Sequence, residues 1–189
     1  MWKLPESTDY MIEQNLHEPT RSYGQEIFEV ASERPHKKML EIGSAWGVSA
    51  LALLTATDGH LTAVDPDETN HAVIEVPANN LQDRFTFHLQ RSEDFWKQNK
   101  ETYDLIYIDG SHLYEDFRND IFEAWKVLEP NGIIICDDIC HKANRGVDTN
   151  GKFSEYGISL GAWEFVKEHH IEHIHTTTRL LYIYKDENV

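Results

Sequence analysis

The chain has 189 residues, 40% of them hydrophobic, with 10 glycines and 6 prolines, a composition that fits one globular domain. Its formal net charge of -16 repels phosphate backbones and anionic bilayers, which argues against nucleic acid and membrane surfaces as partners and favours cations. No apolar run reaches the ~18 residues a membrane span needs, and the opening Met1-Trp2-Lys3-Leu4-Pro5-Glu6-Ser7 lacks the order of a signal segment, so a cytoplasmic location is expected.

Helices and strands are predicted to alternate along the chain. Tyr23, Ile27, Phe28 and Ala31 share one face at helical spacing, which predicts a helix over 22–33. A strand over 39–42 ends at Gly43 and is followed by an apolar helix over 48–57. A second strand, 61–64, is closed by Asp65-Pro66. The span 69–81 reads as a helix broken by Pro77. Then come a strand over 85–89, a short helix over 95–100 and a strand over 105–108. A long helix over 114–128 stops before Pro130-Asn131-Gly132, and a strand follows over 133–136. A helix over 160–169 leads to a closing hairpin of 171–177 with 180–184. The expected fold is therefore α/β, a doubly wound sheet of about seven strands, mostly parallel, with an antiparallel C-terminal hairpin. We expect a single domain over 1–189. It comprises an N-terminal helical segment (1–37), the core (38–189) and a substrate-side loop (140–159).

Two of the apolar strands end in acid. Tyr103-Asp104-Leu105-Ile106-Tyr107-Ile108 runs into Asp109-Gly110-Ser111-His112, and Gly132-Ile133-Ile134-Ile135-Cys136 runs into Asp137-Asp138. Ligands in open α/β sheets collect beyond the carboxyl ends of such strands. If the two strands are neighbours, three carboxylates and an imidazole converge. Like charges that close ask for a cation between them. A single strand-end Asp also serves as a plain turn residue, and His112 could merely orient an aspartate.

The first strand–turn–helix, Leu40-Glu41-Ile42-Gly43-Ser44-Ala45-Trp46-Gly47-Val48-Ser49, places two glycines where the chain turns and a ligand can approach the backbone. Asp65 follows about 20 residues on, where an acid can take both hydroxyls of a ribose. The second and third glycines of a dinucleotide fingerprint are replaced by Ala45 and Val48, which disfavours a pyrophosphate. A nucleoside without phosphates fits better. Two glycines alone also suit a simple tight turn. Cys136 and Cys140 are too few for a zinc site and poorly placed for a disulfide, and are expected as core or pocket wall. Trp46 and Trp163 are expected in the same role. The run His169-His170-x-x-His173-x-His175 straddles a helix end and a strand, so its side chains should diverge on a solvated surface.

Taken together, Glu41-Ile42-Gly43-x-x-x-Gly47, Asp65, Asp109 and Asp137-Asp138 resemble the class I S-adenosylmethionine-dependent methyltransferases. More narrowly they resemble the divalent-metal-dependent O-methyltransferases. Asp109-Gly110-Ser111-His112-x-Tyr114, Asp120, Leu128-x-Pro130-x-Gly132 and Asp137-Asp138 look most like the branch that modifies macrolide and aminocoumarin sugars, and less like the catechol branch. The resemblance covers about residues 23–165 and implies a Rossmann-like core. It implies that Glu41, Gly43, Ser44 and Gly47 line the methionine end of S-adenosylmethionine. Ser49 would hold the methionine carboxylate, Asp65 the ribose and Ser92 the adenine. The implied ligands of Mg²⁺, or another divalent cation, are Asp109, Asp137 and Asp138, with Asp109 near enough to face the cofactor as well. His112 stands where the catechol branch has a lysine, as the base.

The implied reaction is O-methylation of a small hydroxylated metabolite, sugar-like or a vicinal diol. A homodimer is compatible with this. The alternatives are a metal-independent small-molecule methyltransferase and a non-catalytic S-adenosylmethionine-binding module. The loop 140–159, with Lys142, Arg145 and Lys152, is expected to close over the acceptor.

Overall fold

The computed structural model describes residues 19–139, 146–147, 153–154, 157–177 and 179–187. Its elements follow the alternation of the sequence: α1 (Pro19–Ser32), β1 (Lys38–Ile42), α2 (Val48–Ala56), β2 (His60–Asp65), α3 (Ala72–Ala78), β3 (Phe85–Leu89), α4 (Ser92–Gln98), β4 (Tyr103–Ile108), α5 (Tyr114–Val127) and β5 (Leu128–Cys136). Two short strands, β6 (Gly146–Val147) and β7 (Phe153–Ser154), pair antiparallel, and α6 (Gly157–Glu168), β8 (Ile174–Thr176) and β9 (Leu181–Tyr184) complete the chain.

Seven strands form one sheet in the order β3-β2-β1-β4-β5-β9-β8. The ladders from β3 to β5 are parallel; β9 runs antiparallel to both β5 and β8. This is the expected doubly wound sheet with a reversed C-terminal pair. The strand order reverses between β1 and β4, so a crevice opens above their carboxyl ends.

Burial explains why these segments are strands. Period-two alternation sends Leu40, Ile42, Ile106, Ile108 and Ile134 to one face, against Phe117 and Ile121 of α5 and Phe165 of α6. Met39, Leu61, Leu105, Tyr107 and Ile135 face the other way, against Ile27 of α1 and Leu51 and Leu54 of α2. Both faces are covered, so the central strands read as continuous apolar runs. Each such side chain contributes about 1.5–3 kcal/mol by leaving water. Helix α2 is buried from Val48 through Leu54, as a helix apolar on every side must be. Arg84 donates to the carbonyls of Leu54, Thr57 and Gly59 at 2.7–2.9 Å and so closes the C-terminal end of α2.

Some predicted boundaries move for identifiable reasons. Helix α4 begins at Ser92, three residues earlier than expected, because Glu93 and Asp94 favour its positive N-terminal turn. Helix α3 is shorter than predicted and carries Pro77 in its last turn. Strand β8 is only Ile174–Thr176. Trp46 and Trp163, expected as core or pocket wall, are 40% and 42% exposed. Of the histidine run, His169 stacks on Phe165, while His173 and His175 stack across the hairpin on Tyr184 and Tyr182. Cys136 is a free, buried thiol; Cys140 and the three loop cations lie outside the described residues. Among the described residues no helix is long and apolar enough to cross a membrane.

The tightest joint lies between β1 and β4. Gly43 has φ +85°, and a Cβ there would stand 2.1 Å from the Asp109 carbonyl oxygen. Gly43→Ala therefore adds a clash with backbone to left-handed strain. The expected result is loss of the folded protein, or at least about 3 kcal/mol lost in urea unfolding. A loss below about 1 kcal/mol would mean that the two strands do not close on each other in this way.

Candidate active site

The parallel ladder does not stop where the strands end. The Gly43 N–H donates to Val64 O at 2.9 Å, the Asp109 N–H to Ile42 O at 2.8 Å, and the Asp137 N–H to Ile108 O at 2.9 Å. Each residue following a strand is thereby pinned beside its neighbour. Gly43, Asp109 and Asp137 come to lie in a row across the crevice. One further residue along, Asp138 adopts φ 59°, which turns the chain back over the site.

Asp109, His112 and Asp138 each offer one ligand atom, and these atoms lie within 4.8 Å of one another. The Nε2 atom of His112 stands 3.9 Å from Asp109 Oδ1 and 3.6 Å from Asp138 Oδ2. Burial, with Asp137 next in importance, pushes the Asp109 carboxyl above the usual carboxylate range. The hydrogen bond with Asp109 in turn holds the His112 imidazole above its ordinary value. The donor chemistry suits a divalent cation: two hard carboxylates with an imidazole beside them. His112 keeps 42% of its side chain open and Asp138 16%, so both are reachable from solvent.

Asp137 departs from expectation. Expected with Asp109 and Asp138 as a metal ligand, it has its side chain fully buried against Arg179. Arg179 grips it with two bonds, Nε to Oδ1 at 2.5 Å and Nη2 to Oδ2 at 2.8 Å. The Tyr107 hydroxyl donates to Oδ2 at 2.6 Å, and the Asp138 N–H donates to Oδ1 at 2.6 Å. Four donors on two oxygens leave no outward lone pair for a cation in this arrangement. Arg179 and Tyr107 were missed from sequence. The available signal was topological: β9 runs antiparallel to β5, so the turn before it must arrive above the carboxyl end of β5. Arg179 sits in that turn, where its carbonyl accepts the Ile139 N–H at 3.0 Å.

On the other side of Asp109 a cleft of about 790 Å³ opens, lined by Gly43, Ala45, Asp65, Ser92 and Trp96 together with Asp109. Four of the expected cofactor residues thus share one cavity. The other four do not line it, and all are buried. Glu41 accepts a hydrogen bond from the Ser49 hydroxyl, and its second oxygen has no partner. Burial pushes the Glu41 carboxyl up to about 8. Ser44 Oγ accepts from Asn70 Nδ2 at 3.1 Å. Gly47 has φ +78°, and a Cβ there would stand 2.9 Å from Ala72 Cα.

The glycine positions are thus required by the protein's own backbone, Asp109 at Gly43 and Ala72 at Gly47, and not only by the approach of a ligand. Asp65 has a similar second task. Its Oδ2 accepts the N–H groups of Ser44 and Ala45, both at 3.0 Å, and Oδ1 accepts that of Asp67 at 2.8 Å. It clamps the glycine turn while one side faces the cleft. The rimming acid fits the hydroxyls of a nucleoside ligand, and the orphaned oxygen of Glu41 is buried outside the cleft lining.

Comparison with known proteins identifies the family and the fold. Residues 40–139, more than half of the chain, match the model of the family described as "Methyltransferase domain". An uncharacterised protein of Haemophilus influenzae is 30% identical over 110 residues, a match that spans 54% of this chain and 43% of that protein. Three solved structures share the fold. An O-methyltransferase from Bacillus cereus in complex with SAH has a TM-score of 0.72 at 17% identity, covering 95% of this chain and 88% of that one. The O-methyltransferase TomG of Streptomyces achromogenes, involved in tomaymycin synthesis and solved with SAM, has a TM-score of 0.74 at 15% identity, covering 97% and 91%. The SAH-bound methyltransferase PaMTH1 of Podospora anserina has a TM-score of 0.74 at 18% identity, covering 97% and 89%. The chain therefore belongs to the methyltransferase-domain family and has the Rossmann-like fold of the S-adenosylmethionine-dependent O-methyltransferases.

Proposed function

We propose that this chain moves the methyl group of S-adenosylmethionine to a hydroxyl oxygen of a small hydroxylated metabolite, sugar-like or a vicinal diol, in the presence of a divalent cation such as Mg²⁺. A cytoplasmic location accompanies this reading. The observation that carries it is the position of Asp109, which belongs both to the wall of the cleft and to the group with His112 and Asp138. A cofactor in the cleft and an acceptor over the acids would meet at that residue.

The roles follow from chemistry. Gly43, Asp65 and Ser92 face the nucleoside, and Glu41 and Ser49 underlie the methionine end. Asp109 and Asp138 would hold the cation. When bound, the cation favours the deprotonated form of the acceptor hydroxyl and fixes its direction. His112 Nε2 takes the hydroxyl proton. The oxygen lone pair forms the new O–CH₃ bond as the S–CH₃ bond breaks, and the sulfonium leaves as a neutral thioether. Holding two reactants in line contributes several kcal/mol to the rate. The donors that would hold the cation separate this reading from a metal-independent enzyme, in which Asp138 would serve only as a partner of Arg179 and His112.

Three outcomes are expected. First, S-adenosylhomocysteine should raise the melting temperature by mass action; no shift with or without Mg²⁺ would remove the cofactor assignment. Second, Asp138→Ala should lower methyl transfer by about 100-fold or more while leaving that thermal shift in place. Excess EDTA should do the same to the wild type. Activity indifferent to both would favour the metal-independent alternative. Binding without turnover across a broad panel of hydroxylated acceptors would favour a binding module.

The third outcome concerns pH. Folded Glu41 holds its proton to about pH 8, whereas in the unfolded chain it releases it near the ordinary 4.5. The unfolded state thus binds fewer protons in that window, and the stability of the ligand-free protein should fall as pH rises from 5 to 8. Glu41→Gln should flatten the fall, as should saturating S-adenosylhomocysteine, whose ammonium can pair with the carboxylate. A decline identical in wild type and variant, followed by thermal melts across pH, would contradict this.

A further inference from the structure

Asp109, Asp137 and Asp138 together bring three negative charges to the end of β4 and β5. Arg179 contributes one positive charge among them, doubly bonded to Asp137 and 3.4 Å from Asp138 Oδ1. The two-pronged bond goes to Asp137, while Asp109 and Asp138, the latter also within 3.4 Å of the guanidinium, are the two whose oxygens gather with His112. Bidentate arginine–carboxylate pairs are strong and directional, and this one is reinforced by the Tyr107 hydroxyl. Releasing Asp137 towards a cation would break three side-chain bonds and strand a partly buried guanidinium.

We propose that Arg179 acts as a resident cation that withdraws Asp137 from the metal, so that the protein supplies only Asp109 and Asp138 as carboxylate ligands. Asp137 is then a positioning residue. It ties the β8–β9 turn to the end of β5, and its Oδ1 accepts the N–H of Asp138, which fixes the turn on which Asp138 stands. A two-carboxylate holder suits an ion that retains water and takes acceptor oxygens, as Mg²⁺ does. The cation would be held loosely until acceptor oxygens arrive. This inference rests on the cation-dependent reading above and changes its ligand set.

The test reads Mn²⁺ binding directly, from the loss of the free-ion electron paramagnetic resonance signal, with S-adenosylhomocysteine present and no turnover. In the wild-type background Asp138→Asn should weaken Mn²⁺ binding about tenfold or more, and Asp137→Asn less than threefold. Arg179→Gln should tighten binding about tenfold, because it frees a third carboxylate. Adding Asp137→Asn to Arg179→Gln should return the affinity to the wild-type level. A gain in Arg179→Gln that is absent from Arg179→Lys, which keeps the charge but not the two-pronged bond, is a charge effect alone and overturns the inference.

If Asp137→Asn alone does not fold, Arg179→Gln and the double variant still decide. Wild-type binding with equal losses in Asp137→Asn and Asp138→Asn overturns this inference and leaves cation dependence standing. Binding that does not tighten in Arg179→Gln also overturns it. No binding by wild type or Arg179→Gln overturns both the inference and the cation.

Discussion

Everything at this site depends on the hydrogen-bonded row formed by the residues that follow β1, β4 and β5. Three parallel strands place their carboxyl ends level, and the ladder runs one residue further in each. Gly43 is the condition for that row, since any Cβ there would collide with the Asp109 carbonyl. Backbone geometry, settled by the buried apolar strands, thus sets the positions of Asp109 and Asp137 before side-chain electrostatics enters. The cleft on one side of Asp109 and the acid group on the other follow from the same joint.

That row brings carboxylates closer than they would choose to be. The chain deals with the repulsion in two ways. At Asp137 it provides Arg179 and Tyr107, so the charge is paired and buried. Asp109 and Asp138 face His112, with Arg179 also 3.4 Å from Asp138, and burial first and the neighbouring Asp137 second raise the affinity of Asp109 for a proton. A site left short of positive charge, open to solvent and next to a cleft, is where an exogenous cation gains most. Asp65 and Asp137 then play parallel parts. Each sits at a strand end, and each spends its oxygens on holding a loop in place.

Much of this was legible in the sequence because the signals were local. Apolar runs closed by acid marked β4 and β5, the glycine turn marked β1, and the spacing of Asp65 marked the end of β2. The residues that escaped notice act across long sequence separations. Arg179 reaches Asp137 only because β9 returns antiparallel beside β5, a pairing that periodicity does not specify. The sequence could not tell that Gly43 and Gly47 make room for Asp109 and Ala72, since a glycine tolerant of a ligand and one tolerant of a neighbouring strand look alike. For Trp46 and Trp163 only the core half of the expectation falls away. Large aromatics usually lie inside, yet here both stand partly open.

The central claim is that cofactor and cation occupy adjoining halves of one site that meet at Asp109. It is tested most directly by the magnetic resonance of S-adenosylmethionine carrying a ¹³C-labelled methyl group, bound to the protein and titrated with Mn²⁺. The account predicts that the methyl signal broadens more strongly than the adenine ring protons, because the sulfonium end faces the acids. Equal broadening of both, or none while both ligands are bound, would contradict it.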